Sequence, residues 1–245
     1  MSQDIIKINR YNSDDLYKYI LAYILLKTGT PLSALSISQG LMEYFNVHTS
    51  HVSVRNKLRD LVDDGDVFKL ERKYLKPHFI EGEDSREIEF REIYYVNLEK
   101  NSFSSGYGYL KSICKKSVPT KAYLEKRNKL ANSLIRKISG IKTGVIVHYY
   151  TDVNGVQKKK YFPIDFFIPG ENLVIITTNS RNLFSTDKGN EEKALVNGIY
   201  HMKKTKMANF MIVGFADDVD NEKLLEKFKD LGIEYKNYQE LLVQS

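Results

Sequence analysis

Six side chains between positions 52 and 59 have the chemistry to read duplex DNA. Asn56 and Arg59 can bond base edges bidentately, Val52 can meet a thymine methyl, and Lys57 can take a phosphate. Val54, Leu58, Leu61 and Val62 recur at i, i+4, i+7 and i+8, which is one buried stripe of a helix. At about 100° per residue, Val52, Ser53, Asn56 and Arg59 fall opposite that stripe, with Arg55 and Lys57 on its flanks. The plainer account of the same pattern is the solvated or protein-contacting face of a three-helix core followed by a hairpin.

Such a helix needs elements that hold it. Ser36 and Gln39 have the spacing of a capping box, in which the serine oxygen takes an orphan helix amide and the glutamine side chain reaches back, so a short helix is expected over residues 37–45. Asn46-Val47-His48-Thr49 breaks it, and Thr49 or Ser50 caps the reading helix. Asp63-Asp64-Gly65-Asp66 then turns the chain into Val67-Phe68-Lys69-Leu70. Upstream, Asn12 or Ser13 caps a first helix running to Lys27, with Asp14 and Asp15 beside its positive end. Downstream, residues 69–75 and 87–97 read as two strands around an acidic loop at Glu81-Gly82-Glu83-Asp84, which suits a partner protein, a second subunit or solvent better than phosphate. Helix, acidic glycine turn and strand in this order resemble the recognition helix and first wing strand of winged-helix DNA-binding domains.

Composition narrows the setting. Residues 1–98 carry 13 Lys and Arg against 15 Asp and Glu, residues 99–150 carry 11 against 2, and residues 151–245 carry 13 against 14. The excess positive charge therefore lies in the middle, where Lys111, Lys115, Lys116, Lys121, Lys126, Arg127 and Lys129 are interleaved with Tyr107, Tyr109 and Tyr123. That segment suits phosphate contacts, with Lys115 and Lys116 as candidates, although a solvated basic helix face has the same look. A slightly acidic reading domain argues against purely electrostatic, non-specific binding and leaves specific reading open. The single Cys114 excludes an internal disulfide and a cysteine zinc cage, which fits a reducing, cytoplasmic setting. The apolar run at residues 20–26 is too short to span a bilayer, so no membrane role is expected. His148, His201 and the serines have no spacing of a nucleophilic triad, and there is no glycine-rich phosphate loop.

Asn101 to Gly108 is rich in Ser and Gly and reads as a connector. Pro119-Thr120 opens a helix over residues 121–138, and the rhythm then changes. A strand at 143–150, the Asn154-Gly155 hairpin turn, a strand at 156–168 and the apolar run Leu173 to Thr178 follow. A helix at 191–206, a strand at 210–215, a helix at 221–231 and a short strand from Gly232 complete the pattern. This order, with Pro163-Ile164-Asp165 in the second strand, resembles the restriction-endonuclease-like fold, the PD-(D/E)XK nuclease superfamily. The resemblance places Asp165 on the family's first acid, a ligand of Mg²⁺ that polarises the phosphodiester and generates hydroxide. The acid and lysine positions of the next strand read Thr177-Thr178-Asn179, which supply neither charge. Glu125 in the preceding helix, or Glu191 or Glu192 with Lys193 in the following one, are the replacements the resemblance allows.

The expected class is α+β, a winged helix at 1–98, a basic linker at 99–120 and an α/β restriction-endonuclease-like domain with a central mixed sheet at 121–245. The leading expectation is a DNA-binding protein whose nuclease-like half no longer cuts and serves binding or dimerisation as a homodimer. A Mg²⁺-dependent DNA endonuclease of a mobile-element or defence system is the rival, and a protein-interaction adaptor the third reading.

Overall fold

The computed structural model describes residues 15–75, 91–178, 209–214, 226 and 228–243. The class is α+β. Its contacts divide the chain into two compact units, one holding Met1–Lys69 and Glu92–Asn132, the other Leu70–Arg91 and Ser133–Ser245.

The first unit is built on three helices. Helix α1 (Leu16–Leu26) buries Ile20, Ala22, Tyr23, Ile24 and Leu25; the proposed caps Asn12 and Ser13 lie outside the described residues. Helix α2 (Ala34–Phe45) starts three residues earlier than its sequence suggested. Ser33 is the cap, its Oγ accepting from the Ser36 amide at 3.0 Å, while Ser36 Oγ accepts from the Ser33 amide at 2.7 Å. Ser36 therefore serves as the back-reaching partner of the box and not as its start. Asn46, with φ of 60°, ends the helix by giving its amide to Leu41 and Met42. Helix α3 (His51–Asp63) begins at Ser50, whose Oγ accepts from the Ser53 amide at 3.0 Å, and buries Val54, Leu58 and Leu61 as the periodicity required.

Helices α1 and α2 meet at Gly40, where a Cβ would fall 2.1 Å from Tyr23 Cζ. Alanine normally gains about 1 kcal/mol over glycine within a helix. Overpacking a filled site costs about 1–3 kcal/mol, and Tyr23 is itself buried, so Gly40→Ala should lower stability. Chemical denaturation followed by circular dichroism checks the sign.

The expected connector is a helix. Helix α4 (Phe103–Ile113) is capped by Ser102 and buries Phe103 and Leu110. Phe103, Tyr107 and Leu110 stand at i, i+4 and i+7, so the Ser/Gly content disguised an amphipathic stripe that packs with α1 in one core. Helix α5 (Lys121–Lys137) also enters this core through Leu124. Its buried Asn128 accepts from Thr28 Oγ1 at 2.7 Å, and Asn132 accepts from the Leu98 amide at 2.9 Å while donating to Val96 O at 2.9 Å. The compact units thus differ from the expected division at 98 and 120. Residues 99–132 pack with the three helices because their apolar side chains and two asparagines are satisfied there.

Strand β1 (Val67–Leu75) has strand β2 (Arg91–Val96) on one side. The acidic 81–84 loop lies outside the described residues. The end of β1 belongs to the second unit, where Arg72, Tyr74 and Leu75 run parallel to Thr143, Ile146 and Val147 of strand β3 (Lys142–Val153). The Asn154-Gly155 turn, with φ of 57° and 78°, returns β3 into strand β4 (Val156–Ile168), antiparallel from Val153↔Val156 to Lys142↔Phe167. Strand β5 (Leu173–Thr178) is antiparallel to β4. Strands β6 (Asn209–Gly214) and β7 (Glu234–Asn237) then add in parallel. The resulting order β1-β3-β4-β5-β6-β7 is a mixed sheet, and a short helix α6 (Tyr238–Val243) follows it. The helix expected at 191–206 lies outside the described residues, and of the one expected at 221–231 only residues 226 and 228–230 are described.

Candidate nucleic-acid interface and carboxylate site

Helix α3 presents its two faces as expected from its spacing. Val52 is 50% exposed, and Ser53, Arg55, Asn56 and Arg59 are exposed with it. Ser53 is partly engaged, its hydroxyl 2.9 Å from that of Ser50, and half-buried Lys57 lies 3.6 Å from Asp60. Val52, Arg55, Asn56 and Arg59 are thus the exposed candidates on this helix.

One flank of α3 borders a groove of about 640 Å³ whose walls include Arg55, Leu58, Arg59, Lys69, Glu92 and Tyr94. Glu92 is held by Lys69 at 2.5 Å and by the Tyr94 hydroxyl. Burial pushes its carboxyl up, but the hydrogen bonds from Lys69 and Tyr94, helped by the charge of Arg55, outweigh burial and hold it below the usual carboxylate range. Nothing in the sequence pattern marked Glu92, because its three partners come from different elements.

The basic middle segment is less free than its composition implied. Lys111, Lys115 and Lys121 are exposed, but Lys116 pairs with Glu43 and sits 4.7 Å over the Tyr44 ring. Lys115 is tied by its backbone instead, its amide donating to Tyr44 O at 2.8 Å. Arg127 donates to the Tyr123 hydroxyl at 3.3 Å.

The carboxylate site is in the second unit. The β4–β5 ladder pairs Ile168 with Leu173, Phe167 with Val174 and Phe166 with Ile175. One residue further, the half-buried Asp165 takes over as acceptor: its Oδ2 receives the Thr177 amide at 2.6 Å and the Thr177 hydroxyl at 2.8 Å. A side chain thus takes the place of a ladder carbonyl as acceptor for this part-buried amide. Thr177 occupies the place where the nuclease resemblance expects the second acid. Glu125, one suggested replacement, belongs to the first unit and pairs with Lys129 at 2.8 Å. Glu191, Glu192 and Lys193 lie outside the described residues, as does Asn179. Among the described residues no group of three His, Cys, Asp or Glu side chains gathers to hold a metal. The described residues thus bring one carboxylate to this site, with its Oδ2 already taking two donors and a neutral threonine beside it.

Neither a family model nor a curated protein sequence matches the chain. A solved structure, protein VC1899 from Vibrio cholerae, aligns at 14% identity with a TM-score of 0.29, covering 94% of this chain and 54% of that one. At that score the likeness bears on neither fold nor function. The chain spans about half the length of that protein. Among the described residues no helix is long and apolar enough to cross a membrane.

Proposed function

We propose that this chain is a DNA-binding protein that reads duplex DNA through α3, in a winged-helix manner, and that its second unit is a nuclease-like body without a working metal site. The observation that carries the reading is the division of α3. Val54, Leu58 and Leu61 are at most 4% exposed, while Asn56 and Arg59 stand outward on the opposite side, where base edges can be met bidentately. The antiparallel β3-β4-β5 meander with β6 parallel to β5 supports the nuclease-like assignment of the second unit. The Asp165–Thr177 hydrogen bonds favour a body that binds or dimerises over a Mg²⁺-dependent endonuclease. The excess positive charge of residues 99–150 disfavours a protein-interaction adaptor.

Incubation of the purified protein with plasmid DNA and Mg²⁺ or Mn²⁺ separates these readings. Retarded but intact plasmid is the expected result. Metal-dependent cutting that Asp165→Ala abolishes would establish the endonuclease, and absence of any DNA binding would leave the adaptor.

The ion pairs refine what the basic segment contributes. Removing a single phosphate contact should lower the log–log salt slope of binding by roughly 0.9. Lys115→Gln should do so, whereas Lys116→Gln should leave the slope nearly unchanged, because Glu43 already offsets the Lys116 charge. Titrations between low and physiological salt measure both.

A further inference from the structure

The groove beside α3 is lined by Arg55 and Arg59 of that helix. Around the helix, Asn56 faces away from the buried stripe, whereas Arg55 stands to one side, over the groove that Lys69 and Glu92 border from β1 and β2. Neither Arg55 nor Arg59 is in an ion pair among the described residues, while Lys69 is engaged with Glu92. Glu92 also feels the Arg55 charge, so the groove sets three cations, Arg55, Arg59 and Lys69, against two lining carboxylates, Glu92 and Asp63. Guanidinium forks match the oxygens of a phosphate bidentately. The groove holds about 640 Å³. At ~30 Å³ per water it has room for on the order of twenty waters, far more than a lone phosphate fills, so it suits a length of chain.

We propose that this groove takes the sugar–phosphate backbone of the duplex that α3 reads, with Arg55 as the phosphate anchor and Glu92 as the residue that positions Lys69 at the groove wall. The assignment rests on the DNA-reading role of α3 and names a phosphodiester site on its flank. Arg55 is exposed, so its replacement does not disturb the core.

The test compares duplex binding by the full chain, by Arg55→Gln, by Arg55→Lys and by Asn56→Ala at several salt concentrations. Arg55→Gln should weaken binding to a selected site and to random duplex by the same factor. The ratio of wild-type to variant affinity should shrink ~3.5-fold between 50 and 200 mM salt, since one phosphate contact is worth roughly 0.9 in the slope. Arg55→Lys should restore most of that slope, and Asn56→Ala should change sequence preference at the wild-type slope. Inorganic phosphate at millimolar concentration and constant ionic strength should not displace duplex; displacement would make the groove a free-anion site and overturn the backbone assignment. A wild-type slope in Arg55→Gln overturns the groove while leaving base reading by α3 intact. Failure of the wild-type chain to bind any duplex overturns both.

Discussion

Asp165→Ala is expected to destabilise the second unit, because the carboxylate is a structural acceptor between β4 and β5. Its Oδ2 receives both the amide and the hydroxyl of Thr177. Hydrogen bonds to charged groups contribute about 1.5–3 kcal/mol each, and an amide left unpaired away from water adds its desolvation cost. The two bonds share one acceptor atom and are not independent, so a loss of roughly 2–4 kcal/mol is the expectation. Asp165→Asn keeps an oxygen acceptor of the same shape and should recover much of the loss. Thr177→Val removes the hydroxyl donor and keeps the amide bond, so it should cost about half as much. Denaturant melts of the three variants, read with DNA binding by each folded variant, check the order. Equal stability of Asp165→Ala and wild type would show that the carboxylate does not bridge the strands.

The second large effect is on sequence discrimination. Asn56→Ala and Arg59→Ala should each lose about 1–3 kcal/mol of preference for the cognate site over random duplex, since each bidentate base contact discriminates by that amount. Non-specific binding should change little for Asn56→Ala, because its side chain carries no charge. Both positions lie opposite the buried stripe, so the variants should fold as wild type does. Competition binding with selected and random duplexes measures the difference directly. Retention of full discrimination in both variants would remove α3 from the base-reading role.

Local features were legible in the sequence where a single element decided them. The stripe of Val54, Leu58 and Leu61, a cap at Thr49 or Ser50 and the Asn154-Gly155 turn all follow from spacing and backbone preference within a few residues; the structure gives the cap to Ser50. The start of α2 was misplaced because two serines three residues apart, Ser33 and Ser36, both have capping chemistry. The Leu32 amide bonds Glu92 O and the chain turns into the helix directly after it, which gives the cap to Ser33. Helix α4 escaped notice because Ser and Gly residues between its apolar positions look like a connector. Long-range matters were not legible. The parallel pairing of β1 with β3, the burial of Asn128 and Asn132 against α1 and the end of β2, and the capture of Lys116 by Glu43 each depend on residues far apart in the chain. The same holds for the Asp165–Thr177 bridge: the types of both residues were visible, but the β4–β5 register that makes one the acceptor for the other was not.

Selection of duplexes from a random pool by the full chain tests the central claim most directly. Base reading by α3 predicts that successive rounds converge on a short common sequence, and that Asn56→Ala loses or alters one or two positions of it while the rest persist. A wild-type pool that remains as random as its input, at salt where duplex is still retained, would contradict sequence reading by this helix.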